Sequence, residues 1–420
     1  GGESSSPENE IEKNAPTNSD LWTDAGNYAD SFAGGDGTST DPYQIATAEQ
    51  LARLAFLIND SSTNSTYKSL YYDVTNDIDL SLHYWEPIGN RSYNFSGHLN
   101  GKEHVFTGVF TNVEGSNQGL FGYLRGANIC NLSIANSEIV GTYYVGSVAG
   151  YASNTTIYNC HNSSPIAGVF HSTVSDSYIG SGGGIVGYLS DSSSKVYKCS
   201  NSGTLDGERA GGIVGYATGD AQIYDCFNEG VRNVDNNKFV GGIAYKINSA
   251  EIYNCYNTAR INGYGAGIVS QVENGSVQYC YNTGVIANIN RFGGGIAREV
   301  IGSGTISNCY NTAIVYGGGI VADLTSGDVT KCYNTGNIYT DGGLDCGGIV
   351  ACSEGDIGFY IANCYNTGTI TQKGIGNVGG IIGSGENGSV HLSYNIGEVV
   401  NYTTISVSHP GRTGGIIGES

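Results

Sequence analysis

The chain has 420 residues, of which 66 are Gly and 6 are Pro, and 13% are charged. This is poor in charge beside the roughly 25% of ordinary globular domains. With 38 acidic and 18 basic residues the net charge is −20, which argues against nucleic acid or an anionic membrane as partner, because both need clustered Lys and Arg.

Residues 1–20 are acidic and rich in Ser and Asn, and read as a flexible tether. The Gly-Gly start without an initiator Met points to removal of a signal segment or a tag, and a lipoprotein-type surface attachment would run through this stretch. Residues 21–125 read as an N-terminal cap with irregular first turns. Within them Thr47-Ala48-Glu49-Gln50 forms a capping box, and Leu51, Leu54, Ala55 and Ile58 follow at helical spacing. One amphipathic helix suits the open end of a coil of strands, whose terminal turn would otherwise expose unpaired edges. From Tyr71 to Phe110 the chain is strand-like.

Residues 126–420 return to one pattern. It reads I-Y-N-C-Y-N-T-A-R-I from Ile252, V-Q-Y-C-Y-N-T-G-V-I from Val277, V-T-K-C-Y-N-T-G-N-I from Val329 and I-A-N-C-Y-N-T-G-T-I from Ile361. From Cys160 to Ser393, which stands in the last cysteine position, there are eight steps over 233 residues, a period of about 29. Cys332, Asn334, Gly336 and Ile338 share one face by the period of two, and Tyr333, Thr335 and Asn337 share the other. Each unit also carries a Gly-Gly-Ile-Val stretch, such as Gly211 to Val214, and an Ile or Val three residues before the cysteine. The expected fold is all-β: a parallel β-helix of about ten roughly triangular turns, with Ile, Asn and Cys ladders along its axis. The Asn column would bond amide to amide at a buried bend. The Cys column, one thiol per turn and facing inward, reads as small buried hydrophobes and not as disulfides or a metal site. Cys346 and Cys352, off the ladder at the two ends of one extended strand, are about 20 Å apart and cannot bridge.

Gly34-Gly35-Asp36-Gly37-Thr38, Asp41 to Ile45, Ala48 to Leu51, Asp77 to Leu80, Trp85 to Gly89 and Gly119-Leu120-Phe121-Gly122 resemble the bacterial surface proteins with GLUG-motif repeats, some of which sit beside immunoglobulin A peptidase domains. The resemblance covers nearly everything from Trp22 onward and implies an exported, cell-surface, right-handed parallel β-helix. It carries over no catalytic residue. The zinc peptidase pattern His-Glu-x-x-His is absent, so peptidase activity is not expected of this chain.

Two surfaces could carry function. Tyr256, Tyr281, Tyr310, Tyr333 and Tyr365, with Thr283 and Thr335 beside them, form an outward stripe able to meet sugar rings or a partner protein. The same stripe could simply shield the sheet. Glu299 and Asp323 occupy matching positions after the Gly-Gly-Ile segment, so they should be neighbours on adjacent turns with Arg298 beside them. This makes them weak candidates for an acid and nucleophile pair in a polysaccharide hydrolase or lyase, or for a cation site. Asp36 with Asp41, and Asp77 with Asp79, could hold Ca²⁺, although Asp is also an ordinary turn residue. The expectation is a monomeric, non-catalytic adhesin or scaffold for an extracellular glycan or matrix protein, with the carbohydrate-active enzyme as alternative and a passive stalk as a further one. Loops from Phe170 to Ser181 and from Arg232 to Phe239 would vary the display, and Gly414 to Gly418 opens one more turn.

Overall fold

The computed structural model describes residues 15–419, apart from 112–114, 169–179, 231–238, 288–292, 342, 354, 356–357 and 403–411. Most of the expected tether and of both variable loops therefore lies outside the described residues. Every strand pairing in the coil is parallel, between residues one turn apart. Two faces are eleven-stranded sheets and a third is a 22-stranded sheet to which most turns give two short strands, so the chain is a parallel β-solenoid of about eleven turns.

The helix Ala48–Asn59 closes one end. The Thr47 hydroxyl accepts the Gln50 N–H at 3.4 Å, and the Gln50 side chain accepts from Ala46, one residue before the expected partner. Leu51, Leu54, Ala55 and Ile58 have no exposed surface. The first strands, Tyr43–Ile45 and Tyr71–Val74, already pair in the coil's own sheet, and His98–Thr107 joins them to Asn128–Ala135. The cap and the coil thus share one core.

The inward residues of one unit explain its local shape. Ile223 and Cys226 are both fully buried yet stand three apart, which alternation alone forbids. The conflict is resolved by the residue before each cysteine, which takes a left-handed conformation: φ is 52° at Lys198, 54° at Asp225, 53° at Asn254 and 54° at Asn308. One residue out of phase returns the chain to inward-facing register, as in a β-bulge. Asn and Asp accept this conformation at low cost, and stacking enforces it where the residue is Tyr279 or Lys331 (φ 53° and 54°).

The next bend is made by asparagine. The Nδ2 group of Asn282 donates to Asn311 in the next turn at 2.8 Å and to the Gly284 carbonyl at 2.8 Å. Its Oδ1 accepts from Asn257 at 2.9 Å and from the Gly284 N–H at 3.2 Å. The ladder runs unbroken from Asn162 to Asn395, so each amide completes its neighbours. The glycine pair fits against it: a Cβ on Gly212 would stand 2.5 Å from the Asn228 amide carbon.

Three expectations change. The Cys-to-Ile stretch is not one strand, since Tyr333–Asn334 lies in the large sheet and Ile338–Asp341 in another. The late Ile column leaves the main core: Ile261, Ile286 and Val315 pack with Val240, and Ile338 and Ile370 pack with Cys346 and Val378, in two side clusters. The turn is therefore a main core with a side lobe. Cys346 and Cys352 lie on separate strands, Cys346–Gly347 and Val350–Ser353, because Gly348 and Ile349 break the segment. Both are buried and neither forms a disulfide.

The Cys ladder is also more than packing. The Cys255 sulfur accepts the Cys226 N–H at 3.4 Å, and its thiol lies 3.4 Å from the Tyr253 carbonyl. Ser393 reproduces both contacts with its hydroxyl, accepting from Cys364 at 3.1 Å and donating to the His391 carbonyl at 2.8 Å.

Candidate functional site

Parallel register places the Tyr column where expected, with Tyr256, Tyr281, Tyr310, Tyr333 and Tyr365 in successive turns. Ring centroids are 4.9 to 5.0 Å apart and the planes differ by 2° to 6°. Phe227 and Tyr394 extend the stack at its two ends. The rings are half-buried, and Thr283 and Thr335 beside them are exposed. Parallel rings at this distance are offset-stacked, so each covers much of its neighbour's face. Solvent meets mainly ring edges and a row of hydroxyls. Burial, then the neighbouring phenols, push the Tyr281 and Tyr333 hydroxyls above the ordinary tyrosine value.

A second aromatic column escapes a reading based on the position after the cysteine. Tyr158, Tyr197, Tyr224 and Tyr253, two residues before it, stack at 5.1, 4.8 and 4.8 Å. The columns overlap at Tyr224 with Phe227 and at Tyr253 with Tyr256, so one aromatic band runs along this face from Tyr158 to Tyr394. The repeated I-Y before the cysteines was the available signal.

Glu299 and Asp323 are register partners, as the spacing predicts. Glu299 is not left free: one carboxylate oxygen takes the Arg298 guanidinium at 2.5 Å and the Gln271 amide at 2.9 Å. Arg298 also lies over the Phe239 ring, 5.2 Å from its centroid. Asp323 accepts from the Thr325 hydroxyl at 3.3 Å.

Asp36 and Asp79 serve local turns, and Asp77 ties its strand to the one that holds His104 and Val105. Asp36 accepts the Thr38 N–H at 3.0 Å, and bonding to the Thr38 side chain first, then to that N–H, holds its carboxyl below the ordinary value. Asp77 accepts the Val105 N–H at 3.0 Å, and Asp79 the Ser81 N–H at 3.0 Å. Among the described residues no three His, Cys, Asp or Glu come together to hold a metal. No helix among them is long and apolar enough to cross a membrane.

The column that carries Glu299 begins elsewhere, with Tyr123, Tyr151, Tyr188 and Tyr216. Its first three rings help to line a cleft of about 730 Å³ where the cap meets the coil.

Comparison with known proteins agrees with this repeat. A "Putative Gly-rich membrane protein" of Evansella cellulosilytica is 37% identical over 117 residues, which is 26% of this chain and 12% of that protein. A "Halomucin" of Haloquadratum walsbyi is 32% identical over 148 residues, 32% of this chain and 2% of that protein. The match thus spans only a small part of each relative. The crystal structure of a putative immunoglobulin A1 protease from Bacteroides ovatus aligns over 93% of this chain and 87% of that one at 17% identity, but a TM-score of 0.29 carries no argument. The family model described as "The GLUG motif" matches residues 206–234, one turn of the coil from Asp206 through the Gly211 to Val214 stretch to the Cys226 bend. The chain thus carries a GLUG motif at residues 206–234, within a coil whose register repeats from turn to turn.

Proposed function

We propose that this chain is a surface-displayed, non-catalytic binding scaffold, an adhesin-like module that presents the Tyr/Thr face to an extracellular glycan or matrix protein. The observation that carries the reading is the aromatic band: eleven outward rings in two overlapping columns, half-exposed on a rigid sheet and flanked by threonine hydroxyls. Because the rings cover one another, recognition here would rest on hydroxyls and ring edges more than on stacked sugars. The printed names of the two relatives, a membrane protein and a halomucin, support surface placement. Attachment through the N-terminal segment as a lipoprotein belongs to the same proposal.

The test is a glycan and extracellular-matrix array probed with the wild type and with the triple variant Tyr281→Ala, Tyr310→Ala, Tyr333→Ala, its folding checked by circular dichroism. Binding that the folded variant loses maps the ligand to the band. No binding by folded wild type would favour a stalk and remove this reading.

The enzyme reading rests on the register of Glu299 with Asp323. Against it, one Glu299 carboxylate oxygen is already engaged by both Arg298 and Gln271. Turnover of an oligosaccharide that disappears in Glu299→Gln would restore it.

A further inference from the structure

Within the aromatic band, five successive turns are almost free of charge. Across the segments 252–258, 277–283, 306–312, 329–335 and 361–367, Lys331 is the one charged residue, in a chain whose net charge is −20. A strongly charged ligand finds little to complement it here.

This face offers two rows of hydroxyls instead. Tyr256, Tyr281, Tyr310, Tyr333 and Tyr365 supply one row, and Thr258, Thr283, Thr312, Thr335 and Thr367, all exposed, supply the other. The backbone holds both in place. The Tyr281, Tyr310 and Tyr333 N–H groups donate to the cysteine carbonyl of the preceding turn at 3.1 Å, and those of Thr283, Thr312 and Thr335 to the preceding Asn carbonyl at 2.9 to 3.0 Å. Among the described residues no protein group hydrogen-bonds to any of these ten hydroxyls. They are preorganised donors and acceptors for a ligand.

The pitch of the rows selects its class. Successive rings stand 4.9 to 5.0 Å apart and their planes differ by only 2° to 6°, so the row runs along the coil with little twist. An uncharged polymer that meets it hydroxyl for hydroxyl must be extended and advance by one such step per unit. A chain of β-1,4-linked pyranoses does this: both bonds to each ring are equatorial, so each sugar adds about its own length and shows oxygens at both edges of the ribbon. An α-1,4-linked chain curls and leaves the row within a few sugars. We propose that the band binds a neutral β-1,4-linked polysaccharide laid along the coil axis, one sugar per turn, with its edge hydroxyls bonded to the Tyr and Thr rows. This ligand class rests on the reading of the band as a binding surface. The ring faces, covered by their neighbours, take little part.

The test is calorimetric titration of the full chain with β-1,4-linked di-, tetra- and hexasaccharides of glucose, N-acetylglucosamine and mannose, with maltohexaose as the α-linked control. At least one β-linked series should bind and tighten at least fivefold from tetra- to hexasaccharide. Maltohexaose should bind at least tenfold more weakly than the best β-linked hexasaccharide. The triple variant Tyr281→Phe, Tyr310→Phe, Tyr333→Phe keeps the ring stack and should melt as wild type does, yet weaken the hexasaccharide at least tenfold. No binding by any β-linked series, binding that ignores length, equal binding of maltohexaose, or a folded Phe variant that binds like wild type would each overturn the assignment. Should the glycan and matrix array instead show Tyr-dependent capture of a protein or an α-linked glycan, the band remains a binding surface and only the β-1,4 ligand is excluded. No band-dependent binding at all excludes both.

Discussion

The first and last described turns of the coil meet opposite conditions. At the N-terminal end the cap helix covers the first turns, and Leu51, Leu54 and Ile58 have no exposed surface. In the last described turns Leu392 is 84% exposed, Ile396 73% and Tyr394 52%. Asn366 is fully buried, while Asn395, one step along the same ladder, is only half-buried. Residue type is held constant across that step and burial is not. Stability in this molecule therefore belongs to the contact between turns, as expected of a nearest-neighbour array.

The largest effect is expected at the capped end. Leu54→Ala should cost about 3 kcal/mol, within the range of buried Leu→Ala changes, measured by equilibrium urea unfolding. An effect near zero would mean that the helix does not seal the core. Next comes the ladder. Asn282→Ala removes four hydrogen bonds and strands the Asn257 and Asn311 groups, so a loss of about 2 to 3 kcal/mol is expected, against less than about 1 kcal/mol for Asn395→Ala in the last described turns. Equal losses at the two positions would break the comparison.

A pH series sharpens it further. Burial pushes the thiols of Cys226, Cys255 and Cys309 above their ordinary value. As pH rises past about 8.5 the unfolded thiols ionise while the folded ones keep their protons. The unfolded state then holds fewer protons, so stability is fully present below that pH and falls above it. The urea midpoint should drop in alkali, and less steeply in Cys255→Ser; an identical slope in that variant would count against the thiols. The smallest effect is expected of Leu392→Ala, within about 0.5 kcal/mol, as for exposed positions generally.

Much of the coil was legible because its columns repeat at a spacing that the sequence displays. The Asn ladder, the inward cysteines, the outward tyrosines and the pairing of Glu299 with Asp323 all follow from counting out from one cysteine. What counting missed lies where side-chain type does not report backbone. The left-handed residue before each cysteine is variously Asn, Asp, Lys or Tyr, so no single letter marks it. Its signature was the interval of three between two inward residues, Ile223 and Cys226. The side lobe was hidden because Ile338 looks the same in either core. The tyrosine cleft was missed because its rings come from two columns and from irregular early turns. Phe121-Gly122-Tyr123, Ala149-Gly150-Tyr151 and Val186-Gly187-Tyr188 carried the signal.

The Asn bend also divides every turn into a fixed part and a free one. From the glycine pair forward to the next Asn, the count changes little, from 16 residues between Gly318 and Asn334 to 19 between Gly347 and Asn366. From the Asn to the following glycine pair it runs from 7 residues, Asn311 to Gly318, up to 21, Asn162 to Gly183. Length variation is thus concentrated after the amide ladder, between each Asn and the next glycine pair. A peptide grafted there would be carried at a spacing of one turn without disturbing the register of the sheets, which makes this stretch the natural place to insert new sequence.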